Sequence, residues 1–202
     1  HAASSHIAWF SLDEGDNDLS RFLSYFIAAL QTIDTSIGNG ALAALQSPGA
    51  VKTETALISL LNDVAAFPDD LILVLDDYHE INSLQIDQVV SYLLVHLPAQ
   101  MHLVISTRID PSLFLSRLRA RREMIEIRAD DLRFTPAEAE EFLVRVMGFA
   151  LSTQDVAALG TRTEGWITGL QLAALSMQGS TDLRVFVSSF AGSNRYILDY
   201  LG

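Results

Sequence analysis

The chain has 202 residues, enough for one large domain or one domain plus a small one, and half of them are hydrophobic. It has no cysteine, which excludes a disulfide framework and thiol chemistry and fits a cytosolic protein. Its formal charge of −12 argues against nucleic-acid binding by these residues, and no apolar run nears the ~18–20 residues that span a bilayer. The one basic cluster, Arg117, Arg119, Arg121 and Arg122, reads as a solvated helix face. His1 to Ser5 lacks signal-peptide character, and both ends read as the interior of a longer polypeptide.

In chain order, Ile7 to Leu12 is compact and apolar, a strand, and Asp13 to Asp18 is an acidic turn. Leu19, Phe22, Leu23, Phe26, Ile27 and Leu30 recur at helical spacing, with Asn17 or Asp18 as the cap. Ser36 to Lys52, with three glycines and a proline, reads as a loop. Leu57, Leu60, Leu61 and Val64 mark a second helix. Leu71 to Leu75 is an unbroken aliphatic run, the pattern of a strand buried on both faces, and it ends in Asp76-Asp77. Ser83 is positioned to cap a helix carrying Ile86, Val89, Val90, Leu93 and Leu94, which Pro98 closes. Met101 to Thr107 is the next strand and ends in Arg108; Asp110-Pro111 starts a short helix; Met124 to Arg128 is a further short strand. Strands separated by helices imply parallel pairing in an α/β sheet.

The pattern then turns helical. Thr135-Pro136-Ala137-Glu138 and Ser152-Thr153-Gln154-Asp155 are capping boxes, and a third helix covers about Gly165 to Met177. These signals divide the chain into an α/β core over 1–133, a helical part over 134–179, and the start of a further unit over 180–202.

The carboxyl end of such strands is where open α/β sheets bind ligands. Asp76-Asp77 there suits a Walker B strand of a nucleoside triphosphatase. Asp76 could hold magnesium, directly or through water; Asp77 could accept a hydrogen bond from the attacking water; Arg108 could contact the γ-phosphate. The simpler alternatives are a strand-ending turn for the two acids and an Arg108–Asp110 ion pair. His79 and Glu80 add further metal-ligand types, but no second ligand cluster supports a zinc or di-metal hydrolase. No Gly-x-Ser-x-Gly elbow and no Gly-x-x-x-x-Gly-Lys-Ser/Thr loop occurs in the 202 residues. Without that loop these residues alone are expected to bind nucleotide weakly or not at all.

Several stretches together resemble the MalT-like, large ATP-binding LuxR transcriptional regulators, members of the STAND class of signal-transduction ATPases. Ile7–Asp18 with Arg21-Phe22 is similar to the segment after the P-loop helix. Leu73–His79 is similar to the family's Walker B and Leu103–Arg108 to its sensor strand. Asp131–Thr135 and Glu164–Ala173 are similar to the entry and last helix of its lid, and Phe190–Tyr196 to the start of its winged-helix part. The resemblance implies a parallel-sheet P-loop NTPase-like core without its P-loop strand, an all-helical lid, and the beginning of a winged-helix unit. It implies ATP and Mg2+ as cofactors of the full-length protein, with Asp76 on the metal, Asp77 on the water, Arg108 on the γ-phosphate, and Gly169 and Leu170 near the adenine. Gln171 stands where the family's Gly-Leu-Pro-Leu motif has proline. It also implies self-association, DNA contact through a helix-turn-helix outside this chain, a small-molecule inducer bound by downstream repeats, and no membrane partner. The competing function is a non-catalytic protein–protein module with a degenerate NTPase fold.

In this fold class the P-loop strand lies between the Met101–Thr107 and Met124–Arg128 strands. Its absence is expected to leave two unpaired strand edges, to be filled by another molecule, closed by a shift of Met124–Arg128, or paired by an upstream strand.

Overall fold

The structure, a computed structural model, describes residues 6–46, 52–178 and 183–190. Two compact units divide between Glu123 and Met124, about ten residues before the Phe134 boundary expected from the helix signals.

The first unit is built on a three-stranded parallel sheet in the order β1 (His6–Ser11), β2 (Leu71–Asp76), β3 (Met101–Ile105). Trp9 pairs with Val74 and Val74 with Val104, which fixes the register. After β1, Asp13 caps a short 3-10 turn over Glu14–Asn17, and Asp18 caps α1 (Leu19–Gln31) by accepting the Arg21 N–H. Helices α2 (Asn39–Gln46) and α3 (Lys52–Ala66) lead to β2, and α4 (Leu84–His96) joins β2 to β3. Ser83 occupies the N-cap position of α4 without a side-chain hydrogen bond. The helix α5 (Leu115–Arg121) closes the unit.

Parallel crossovers are right-handed, so the steps β1→β2→β3, all in one direction, deliver their helices to one face of the sheet. The core follows: Ala8, Phe10, Leu71, Leu73, Leu75 and Met101 are buried with Phe22, Phe26, Leu60 and Ile86 from the helices. Side chains alternate along a strand, so the opposite face carries Ile7 and Trp9 from β1, Ile72, Val74 and Asp76 from β2, and His102 and Val104 from β3. This face is open at both flanks: Ile7 is 61% exposed, Trp9 59% and Val104 47%, while Val74 in the middle is shielded at 7%.

Three sequence expectations are corrected here. Asn39–Gln46, inside the expected loop, is a helix: Ala41, Leu42, Ala43, Ala44 and Leu45 favour helix enough to override Gly40, and Ala41 is buried. Asp110-Pro111 does not open the next helix, which begins at Leu115 with Phe114 at its cap. Met124–Arg128 is not a strand. Ile125 is 93% and Ile127 70% exposed, because an alternating pattern becomes a strand only against a partner. Among the described residues β3 is therefore a sheet edge, and the shift that would have closed the gap has not occurred.

The second unit is helical. A short turn, α6 (Ala129–Leu132), precedes α7 (Pro136–Glu140), which continues as a π-helical stretch over Glu141–Val146. Then come α8 (Thr153–Arg162), α9 (Ile167–Met177) and α10 (Leu183–Ser189). Both capping boxes form, Thr135 with Glu138 and Ser152 with Asp155. Ala139, Leu143, Leu159, Leu170, Ala174 and Phe190 meet in its core. The expected joint at Gly179-Ser180 and most of the expected winged-helix start lie outside the described residues.

Candidate functional site

The Leu71–Leu75 run places Asp76 as the last residue of the middle strand, half-buried, with Asp77 just beyond it. Asp77 takes a left-handed conformation, φ 57°, ψ 41°, a region where aspartate is better tolerated than most side chains. That turn sends the chain sideways into Tyr78–Glu80 and leaves the Asp77 carboxylate 54% exposed.

The end of β3 is stitched to both acids. The Ser106 N–H donates to the Leu75 carbonyl at 3.0 Å, and the Tyr78 N–H donates to the Ser106 carbonyl at 2.9 Å. The Ser106 hydroxyl donates to the Asp76 carboxylate and accepts the Asp77 N–H at 3.1 Å. On the β1 side, the Leu12 N–H donates to the Asp76 carbonyl at 3.0 Å. Ser11 pairs with Asp76 in register, so a hydroxyl-bearing residue stands on each side of this carboxylate.

Behind the acids, Tyr78 is buried and its hydroxyl donates to Asp87 at 2.8 Å. Burial, reinforced by Asp87, pushes its phenol far above the usual range. The His79 ring is 15% exposed, with Nδ1 3.8 Å from the Asp77 carboxylate and Nε2 3.5 Å from that of Glu80. Its Nδ1 has no hydrogen-bond partner among the described residues. Tyr78, His79, Thr107, Ile109, Asp110 and Ser112 help line a cleft of about 300 Å³ beside this strand end.

Arg108, two residues beyond Ser106, is exposed. Asp110, its suspected neutralising acid, lies 3.7 Å from Arg119. The structure thus brings Asp76 and Asp77 together with Ser106, and Arg108 follows on the same chain segment. Gly169 and Leu170 belong to the second unit and serve its packing: Leu170 is fully buried, and a Cβ on Gly169 would lie 2.9 Å from that of Thr163.

Sequence reasoning missed Ser106 and Asn17. Asn17 reads in the sequence only as a helix cap, yet its side chain reaches the loop after β2, 2.9 Å from the Glu80 carbonyl. The signal for Ser106 was its place near the end of the expected Met101–Thr107 strand; Asn17 gave none, since the partners that tie it to the loop after β2, Glu80 and Asn82, are more than 60 residues away.

Among the described residues no group of three or more His, Cys, Asp or Glu is gathered as a metal cage. The zinc or di-metal hydrolase reading therefore finds no donor set here. Asp76, one of whose carboxylate oxygens is bonded to the Ser106 hydroxyl, offers the other as a hard oxygen ligand, which suits Mg2+, a hard cation commonly held by one or two carboxylates together with substrate phosphates.

A parallel sheet with an acid pair at the end of its middle strand, followed by a helical unit, places the chain in the P-loop NTPase-like α/β class. No family model matches it. The chain is 35% identical over 202 residues to the HTH-type transcriptional regulator MalT of Klebsiella pneumoniae subsp. pneumoniae. It is 35% identical over 207 residues to MalT of Cronobacter sakazakii and 33% identical over 202 residues to MalT of Yersinia pestis. Each match takes in 99% of this chain and 22% of the relative. Over the stretch it shares with them, the chain is similar to these MalT regulators, of whose length it spans 22%.

Proposed function

We propose that this chain is the ATP-binding switch region of a LuxR/MalT-type transcriptional regulator, in which ATP binding and slow hydrolysis control self-association and transcription activation. The observation that carries the reading is the acid pair at the end of the central strand, tied to the end of the neighbouring strand just before Arg108. The likeness to regulators named as HTH-type supports the transcriptional role.

In this reading Asp76 holds Mg2+, Asp77 accepts a hydrogen bond from the attacking water, and Arg108 meets the charge on the γ-phosphate. Bound Mg2+ would neutralise phosphate charge. The 202 residues contain no Gly-x-x-x-x-Gly-Lys-Ser/Thr, so the backbone cradle for the phosphates has to come from elsewhere in the polypeptide. DNA and inducer contacts are assigned to other parts of that polypeptide.

The test uses the full-length polypeptide that carries this sequence. Asp77→Asn is expected to slow ATP hydrolysis by about 10²-fold or more while sparing ATP binding. Unchanged hydrolysis removes Asp77 from its role. No ATP binding by the unsubstituted polypeptide turns the assignment to the competing one, a protein–protein module that kept the fold without the chemistry.

A further inference from the structure

We infer that Ser106 is a positioning residue for the metal-holding carboxylate: its hydroxyl locks Asp76 in the orientation in which one carboxylate oxygen is committed to the protein and the other is left for the cation. The inference rests on the nucleotide reading above and concerns a residue that reading does not use.

Three observations converge on Ser106. It directly follows β3, level with Asp76, so both side chains leave the sheet on the same, open face. Its hydroxyl makes two bonds at once, donating to the Asp76 carboxylate and accepting the Asp77 N–H. Its own backbone is held on both sides, by Leu75 and Tyr78, so the hydroxyl is presented from a fixed point of the ladder. The proton count is complete: a serine hydroxyl has one hydrogen to give, and it goes to Asp76; the oxygen then receives the amide hydrogen of Asp77.

A carboxylate at a strand end rotates freely about its last bond unless something holds it. Each oxygen of Asp76 can serve either partner, and a cation bound by one carboxylate gains from finding the oxygen already aimed. Ser106 does this without adding charge. It also ties the two acids together: the hydroxyl that orients Asp76 accepts from the amide of Asp77, so the left-handed turn at Asp77 and the rotamer of Asp76 are set by one oxygen. Ser11, on the other side of Asp76, is not equivalent: its hydroxyl accepts from the Trp9 indole N–H at 3.1 Å, and among the described residues no hydrogen bond joins it to Asp76.

The test measures binding of a non-hydrolysable ATP analogue to the full-length polypeptide as a function of Mg2+ concentration. Ser106→Ala is expected to raise the Mg2+ midpoint about tenfold, the effect of one hydrogen bond to a charged group. Ser106→Thr, which restores the hydroxyl, returns the midpoint to that of the unsubstituted protein. Ser106→Cys keeps the shape with a weak donor and moves the midpoint in the same direction as alanine, which covers a fold-breaking alanine variant. In an Asp76→Asn background, Ser106→Ala adds no further shift, since the group it positions is gone. A midpoint that moves with Asp76→Asn but not with Ser106→Ala overturns the role of Ser106 alone. A midpoint that moves with neither overturns the metal assignment of Asp76 and the inference with it.

Discussion

Asn17 and Asn82 are joined across two loops: the Asn17 side-chain oxygen accepts the Asn82 backbone N–H at 2.6 Å. The same side chain donates to the carbonyls of Glu80 at 2.9 Å and Glu14 at 3.0 Å. One amide thus fastens the turn after β1 to the loop that follows the acid pair. Asn17→Ala is expected to cost about 1 kcal/mol of stability, a net value for hydrogen bonds at an exposed site. Asn17→Asp keeps the acceptor but sets a carboxylate oxygen against the Glu80 and Glu14 carbonyls in place of the donating N–H, so it is expected to cost more than alanine. Urea unfolding of the three proteins checks the order; an aspartate variant as stable as the native protein would show that the two donated bonds contribute nothing.

Asp16 is the buried acid of the same turn, its side chain 2% exposed. Arg21 Nε donates to it at 2.9 Å and the Asp13 N–H donates to it at 2.9 Å. Removing the cation leaves the buried carboxylate charged, with the Asp13 N–H as its remaining partner, which is more costly than removing both charges. Arg21→Met is therefore expected to lower the thermal midpoint more than the double variant Asp16→Asn/Arg21→Met. A double variant less stable than the single one would mean that desolvation of Asp16 is not what Arg21 offsets.

The helical unit should weaken in acid. The Thr135 backbone N–H and hydroxyl hold the Glu138 carboxyl below its usual range, and the Ser152 hydroxyl and N–H do the same for Asp155. A carboxyl group whose folded value is depressed stabilises the fold above its unfolded value, about pH 4, and loses that contribution as pH falls through the folded value. Replacing both by amides, Glu138→Gln with Asp155→Asn, is expected to flatten the acid limb of the stability profile and to lower stability at neutral pH. Circular dichroism melts between neutrality and strong acid read this directly, and an unchanged acid limb would remove the caps as its source.

The parts of this molecule legible in the sequence are those specified by neighbours in the chain. Leu71–Leu75 announced a buried strand because five aliphatic residues in a row have no other economical placement, and Asp76-Asp77 then had to sit at its end. The capping boxes at Thr135 and Ser152 are complete within four residues, and both form. Met124–Arg128 shows the limit: its alternation matches a strand, but a strand is a pair, and the sequence does not show whether the partner is present. Helix α2 was hidden by glycines at its start, whose cost is small beside the alanine and leucine run that follows. Ser106 and Asn17 escaped because their roles exist only after strands far apart in sequence are laid side by side.

The uncovered flank of the sheet also sets how the molecule behaves in company. Ile7, Trp9 and Val104 make an adhesive surface on a body that carries twelve net negative charges. Like charge holds two such bodies apart only over the screening distance, about 10 Å in 0.1 M salt and about 3 Å in 1 M. The outer strands of this sheet are themselves only about 10 Å apart. Ionic strength is therefore expected to govern colloidal stability: dilute buffer favours dispersed molecules, and salt lets the apolar flanks come within reach of each other.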